Sequence, residues 1–251
     1  MTITKSITID FHEVFASILN SGTNGINIAF NSFNAADVRK TVRLRNLNFN
    51  GADTGVVGIR ITGGSPIAAG VVIIEDCLID GNFGGAAKGV SDERTAGGEL
   101  YISNTTVRNT GLIGIVVNPG AGTAAGLRID ATLDNVRVQN SSFGIALGSA
   151  SRVMINRSVF SGNSQAGIES DTSFSAVEVH VSNSVTSNNG IGIANGGGAV
   201  TFRLSNNDIV FNGTAITGAT LSFSNNRIAG NGQAGVAPTP IGTTTNPTGL
   251  Q

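Results

Sequence analysis

Tryptophan is absent from the 251 residues, and four other chemically useful side chains are scarce: one Cys, one Tyr, two His and two Met. A lone Cys77 excludes an internal disulfide and any multi-cysteine metal site. His12 and His180 each stand apart from a second histidine or cysteine at metal spacing, so no zinc site is expected. Charged residues make up only 12% and the formal net charge is -1, which leaves out the basic stripe of a nucleic-acid binder. No apolar run approaches the ~20 residues a membrane-spanning helix needs. Met1 is followed at once by the alternating stretch TITKSITID, not by a charged and then an apolar leader, so no signal peptide is read. Serine is plentiful, but no Gly-x-Ser-x-Gly elbow supports a triad hydrolase.

What is abundant is glycine, at 35 residues, within a chain that is 40% hydrophobic. That suits many short strands and turns, not a disordered polymer. A nine-residue frame recurs: LRNLNFNGA at 44, IEDCLIDGN at 74, ISNTTVRNT at 102, LDNVRVQNS at 133, INRSVFSGN at 155, VSNSVTSNN at 181, LSNNDIVFN at 204 and FSNNRIAGN at 223. Its first position is always apolar, and its sixth is Phe49, Ile79, Val107, Val138, Phe160, Thr186, Ile209 and Ile228. Its third position is Asn46, Asp76, Asn104, Asn135, Arg157, Asn183, Asn206 and Asn225. Intervals run from 19 residues (206 to 225) to 31 (104 to 135), the size of one solenoid turn.

After each frame comes a small residue with an apolar one behind it, as in Gly25-Ile26, Gly58-Ile59, Gly114-Ile115 and Gly167-Ile168. Each turn thus holds three short period-two segments, and glycine with β-branched residues speaks against helix. Strand stacked on strand makes an all-β parallel β-helix, a β-solenoid of about nine coils and roughly 43 Å at ~4.8 Å per rung. The third-position column is predicted to be an asparagine ladder: Asn tolerates the left-handed bend, and stacked amides bond one another at roughly 1 kcal/mol net each. Residues 1–235 are read as a single domain and 236–251 as a flexible tail. FHEVFASIL, residues 11–19, is either a short helical cap or an irregular turn leading into a strand, and the turn fits the strand order better.

Coils of roughly two dozen residues with an asparagine ladder and GI strands resemble the pectate-lyase-like right-handed parallel β-helix superfamily. More narrowly, they are similar to bacterial proteins described as a right-handed β-helix region, over nearly all of residues 2–232. The resemblance implies an exported protein, secreted or on the cell surface, in which Met1 is an internal start. It also implies that the GI strands form the sheet whose outer face meets polysaccharide. The outward residues there would be Asn27, Arg60, Ser91, Val116, Ala146, Glu169 and Gly192. That row is a poor catalytic one. The paired-aspartate, Gly-His-Gly and Arg-Ile-Lys signatures of polygalacturonases are missing, as are the Trp- and His-containing motifs of pectate lyases. One fold hosts many activities, so the resemblance speaks for architecture more than for function.

Chemistry has one candidate location. Lys88, Asp92, Glu93 and Arg94 cluster in the longest departure from the repeat, GNFGGAAKGVSDERTAGGEL, with Arg60 in the preceding coil and Asp37, Arg39 and Lys40 in a neighbouring loop. Long loops on rigid scaffolds often bind ligands. The cluster has the groups to hold a sugar or a cation such as calcium, although no calcium motif supports the latter; the competing reading is a solvated loop. Asp80 and Arg108 read as a surface ion pair worth under ~1 kcal/mol, and Cys77 as a small buried filler. No cofactor or catalytic residue is indicated. Three functions follow: a non-catalytic structural or carbohydrate-contacting module, a polysaccharide lyase or hydrolase, or a scaffold that self-associates through the strand edges at its ends.

Overall fold

The computed structural model describes residues 1–241 except 13, 15, 65–68, 85, 120–122, 124, 125 and 172, with the side chains of 173 and 174 also left out. Three parallel sheets run the length of the molecule, and the chain visits them in turn. The first sheet has ten strands, from Thr2–Ile3 to Gln233–Gly235; the second has ten, from Ile7–Asp10 to Thr239–Pro240; the third has nine, from Ser17–Leu19 to Arg227–Ala229. Each strand pairs with its equivalent in the next coil, so the architecture is the parallel β-helix that the frame predicts.

The recurring positions superimpose. Leu44, Ile74, Ile102, Leu133, Ile155, Val181 and Leu204 are successive register partners in the second sheet. Ile26, Ile59, Val90, Ile115, Ile145, Ile168, Ile193 and Ile216 do the same in the first, all fully buried. With Phe49, Ile79, Val107, Val138, Phe160 and Ile209 from the third sheet they form one continuous core. Each such side chain stabilises by roughly 1.5 to 3 kcal/mol through leaving water. The glycine that precedes every member of this column but Ile216, which follows Ala215, also has a reason. A Cβ on Gly114 would lie 2.2 Å from Val138 Cγ1 and 2.7 Å from the Gly144 carbonyl, so neighbouring coils stack only without it.

The predicted ladder is real in part and sits elsewhere in part. Asn46, Asp76, Asn104, Asn135, Arg157, Asn183 and Asn206 all have φ between 48 and 55°, so this column makes the sharp corner between the second and third sheets. Its side chains lie near solvent and bond intermittently: Asn104 to Asp76 (3.2 Å), Asn135 to Asn104 (2.9 Å) and Asn206 to Asn183 (2.8 Å). Arg157 interrupts it by pairing with Asp134, and Asn183 turns to Asn156 instead. Asn225 is displaced, because Leu204 pairs with Ser222, not Phe223, and Ser224 takes the left-handed corner.

Two interior columns carry longer runs of bonding, the first interrupted at Val136. Just past the corner, side-chain oxygens of Thr105, Ser158, Ser184, Asn207 and Asn226 accept the N–H of the preceding coil's equivalent residue, at 2.9–3.3 Å. At the far end of the third sheet, Asn189 Oδ1 accepts both the backbone and side-chain N–H of Asn163, Asn212 does the same for Asn189, and Asn231 for Asn212. These amides satisfy backbone groups that the bend removes from the sheet ladder.

At the N-terminal end Ser17–Leu19 forms a strand paired with Asn48–Asn50, and the described residues of 11–19 contain no helix. Ile7, Ile9 and Ile18 are only half-buried there, at positions whose partners in the next coil are fully covered. At the other end the stack continues past residue 235, since Thr239–Pro240 pairs with Leu221–Ser222. Part of the predicted tail is therefore ordered strand; 242–251 lie outside the described residues.

Candidate functional site

The predicted charge cluster divides into an interior half and a surface half. Asp92 and Arg94 are fully buried. Arg94 donates to both carboxylate oxygens of Asp92, at 2.9 and 2.6 Å, and to the carbonyl oxygens of Gly70 and Glu99. Its guanidinium also lies 5.1 Å from the centre of the Phe30 ring. A buried charge persists only when paired and hydrogen-bonded throughout, and this one clamps the passage from the first sheet to the second. Arg94 and Asp92 therefore brace the corner and are closed to a ligand, contrary to the expectation from sequence.

The other half is gathered on the outer face of the first sheet. Glu93 accepts from Lys88 Nζ at 2.6 Å, from Ser91 Oγ at 2.8 Å and from Arg60 Nη2 at 3.2 Å. Burial pushes its carboxyl up, but the bonds from Lys88 and Ser91 outweigh that and hold it below the usual glutamate value. Arg60, Lys88 and Glu93 thus come together as one self-satisfied network. Asp37 joins Ser6 and the Lys40 backbone instead. The outward row is Asn27, Arg60, Ser91, Val116, Ala146, Glu169 and Ala194 in register; Ala194 stands where Gly192 was expected. Ser91 and Val116 are buried, so the middle of that row is covered. Burial first, and the neighbouring Asp171 second, raise the carboxyl of Glu169.

A more open site lies on the second sheet, where sequence reasoning did not look. Alternation along each strand sends one residue inward and the next outward. Register then aligns two outward columns: Glu99, Asp130, Arg152 and Glu178, and beside them Tyr101, Thr132, Met154, His180 and Arg203. Together they line a shallow groove of about 480 Å³, floored by Ala131, Val153 and Val179. Tyr101 is 41% exposed and Met154 51%. The Tyr101 hydroxyl donates to Glu99 at 2.8 Å, which raises its own proton affinity. Arg152 and Arg128 both bond Asp130, and Arg203 bonds Glu178. His180 packs on the Phe223 ring, centroids 5.9 Å apart, and burial followed by the charge of Arg203 pushes its pKa down. The signal was present in the outward letters of GELYIS, SRVMIN and VEVHVS, but it becomes a site only once those strands are aligned.

Elsewhere, Asp80 accepts from Arg108 at 2.9 Å on the exterior of the third sheet, as expected. Cys77 is buried and its thiol is pushed up to about 11, chiefly by burial, which suits an inert filler. Among the described residues no three of His, Cys, Asp or Glu are placed to hold a metal ion, and no helix is long and apolar enough to cross a membrane.

Residues 114–243, over half the chain, match the family model described as right handed beta helix region, and the chain belongs to that family. Among solved structures it is similar to the A-module of mannuronan C-5 epimerase AlgE4 from Azotobacter vinelandii. The two share 10% identity and a TM-score of 0.45, over 98% of this chain and 85% of that one. A search of curated proteins finds no match.

Proposed function

We propose that this protein is a non-catalytic β-helix module that contacts carbohydrate, as part of an exported or cell-surface assembly. The observation that carries the reading is the second-sheet groove, in which half-exposed ring and thioether side chains lie beside a rail of carboxylates and guanidinium groups. Such a mixture of flat apolar faces and fixed polar groups is what a sugar, with its C–H faces and hydroxyl rim, requires. The rail favours binding over hydrolysis. Glycoside hydrolysis needs an acid free to deliver its proton to the leaving oxygen, whereas Glu99, Asp130 and Glu178 already accept from Tyr101, from Arg152 and Arg128, and from Arg203.

The test pairs retention on a panel of immobilised polysaccharides with assays for new reducing ends and for the unsaturated uronate that a lyase leaves. Retention without product is expected. Turnover would overturn the non-catalytic part, and loss of all retention would overturn carbohydrate contact.

A further inference from the structure

The same groove also indicates which kind of glycan fills it. We infer that it takes a neutral, extended β-1,4-linked polysaccharide lying along the axis of the coil, with Tyr101 and His180 as its two ring platforms. This inference rests on the carbohydrate reading above.

Spacing is the first argument. Rungs of a sheet are ~4.8 Å apart, close to the advance per sugar in a flat β-1,4-linked chain, so a repeating ligand and a repeating surface stay in step. Tyr101, Thr132, Met154 and His180 hold one register position in successive coils. The two rings therefore stand three rungs, about 14 Å, apart, with the Met154 thioether between them.

Preorganisation is the second. The Tyr101 ring is tethered through its hydroxyl to Glu99, and the His180 ring leans on Phe223. Side chains already fixed lose little freedom when a ligand arrives.

Charge is the third, and it decides between glycan classes. The groove holds the carboxylates Glu99, Asp130 and Glu178 and the guanidinium groups Arg152 and Arg203. Arg152 is already committed to Asp130 and Arg203 to Glu178. A polyuronate would bring one further carboxylate per sugar against this rail, and a neutral chain brings none. Hydroxyl groups, by contrast, both donate to carboxylates and accept from guanidinium groups.

Calorimetric titration with cellohexaose, xylohexaose and β-1,4-mannohexaose, alongside hexagalacturonate and hexamannuronate, tests the inference. At least one neutral hexamer is expected to bind in preference to both uronates, its affinity climbing from disaccharide to tetrasaccharide and then levelling. Tyr101→Ala and His180→Ala should each weaken it by about tenfold, or ~1.4 kcal/mol, with melting curves unchanged. Arg108→Ala, on the third sheet, should leave it intact. Preference for a uronate, equal binding of both classes, or neutral binding untouched by both ring variants would overturn the inference while leaving carbohydrate contact standing. No binding of any saccharide would overturn both.

Discussion

Asparagine does two different jobs in this molecule, and the contrast lies between neighbouring columns. At the corner column, of which Asn135 is a member, the side chain is near solvent and the residue is chosen for its backbone, with φ at +53°. At the interior column, of which Asn189 is a member, the side chain is 4% exposed and is chosen for its hydrogen bonds. The first job is undemanding: Asp76 and Arg157 also do it. The second tolerates only side chains that place an acceptor at the same point, which is why Ser141 and Thr110 continue that column in the middle coils, with their hydroxyl groups 2.5 Å apart. Ion pairs divide the same way, Arg94–Asp92 inside and Arg108–Asp80 outside. Location, and not residue type, sets what each polar group contributes.

The comparison can be broken at its strongest point first. Arg94→Ala strands the Asp92 carboxylate in the interior and should cost about 3–5 kcal/mol, read as a large drop in denaturation midpoint; a near-native midpoint would refute the clamp. Asn189→Leu removes the acceptor of the Asn163 backbone and side-chain N–H groups and the donor to the Phe160 carbonyl, and should cost about 3 kcal/mol. Asn135→Leu, in the corner column, should cost only about 1 kcal/mol through its left-handed backbone, and Asn135→Gly close to nothing. Equal losses for Asn189→Leu and Asn135→Leu would erase the distinction between the columns. Arg108→Ala should fall below ~1 kcal/mol.

The smallest effects concern pH, and set two half-buried carboxylates of the first coil face against each other. Glu93 titrates below its ordinary 4.5 in the folded chain, so its stabilisation is present above that value and fades as pH falls through the lower folded one. Glu169 titrates above 4.5, because burial and then Asp171 disfavour its charge. Its penalty therefore appears as pH rises from 4.5 through the higher folded value. Melting temperature against pH should show Glu169→Gln raising stability at neutral pH and Glu93→Gln lowering it. Parallel curves for wild type and both variants would contradict the assignment.

Much of the rod was readable from the letters. The nonamers aligned as expected because a coil that buries one face must repeat its inward pattern, and a one-residue slip would turn that face to water. The reading failed by one residue at Phe223, where an extra corner residue shifts the frame and nothing in the local pattern announces it. The ladder read at the corner column is present there in part, while the interior columns stay hidden from the letters, since Ser, Thr and Asn interchange in them and leave no single letter to follow. The Asp92–Arg94 pair reads as part of a candidate ligand-binding loop because a short charged run looks alike in solvent and in the interior. What distinguishes it is the arrival of the Gly70 and Glu99 carbonyl oxygens and the Phe30 ring, all distant in the chain or turned by the fold.

Alone, the order of residues determined that this chain coils into stacked parallel strands, because period-two burial, glycine at the close approaches and left-handed tolerance at the corners are local demands. Which side chains share a surface was decided only by the stacking. Tyr101 and His180 are separated by two intervening coils and meet on one groove through register, and register is a property of neighbouring strands that no single strand contains.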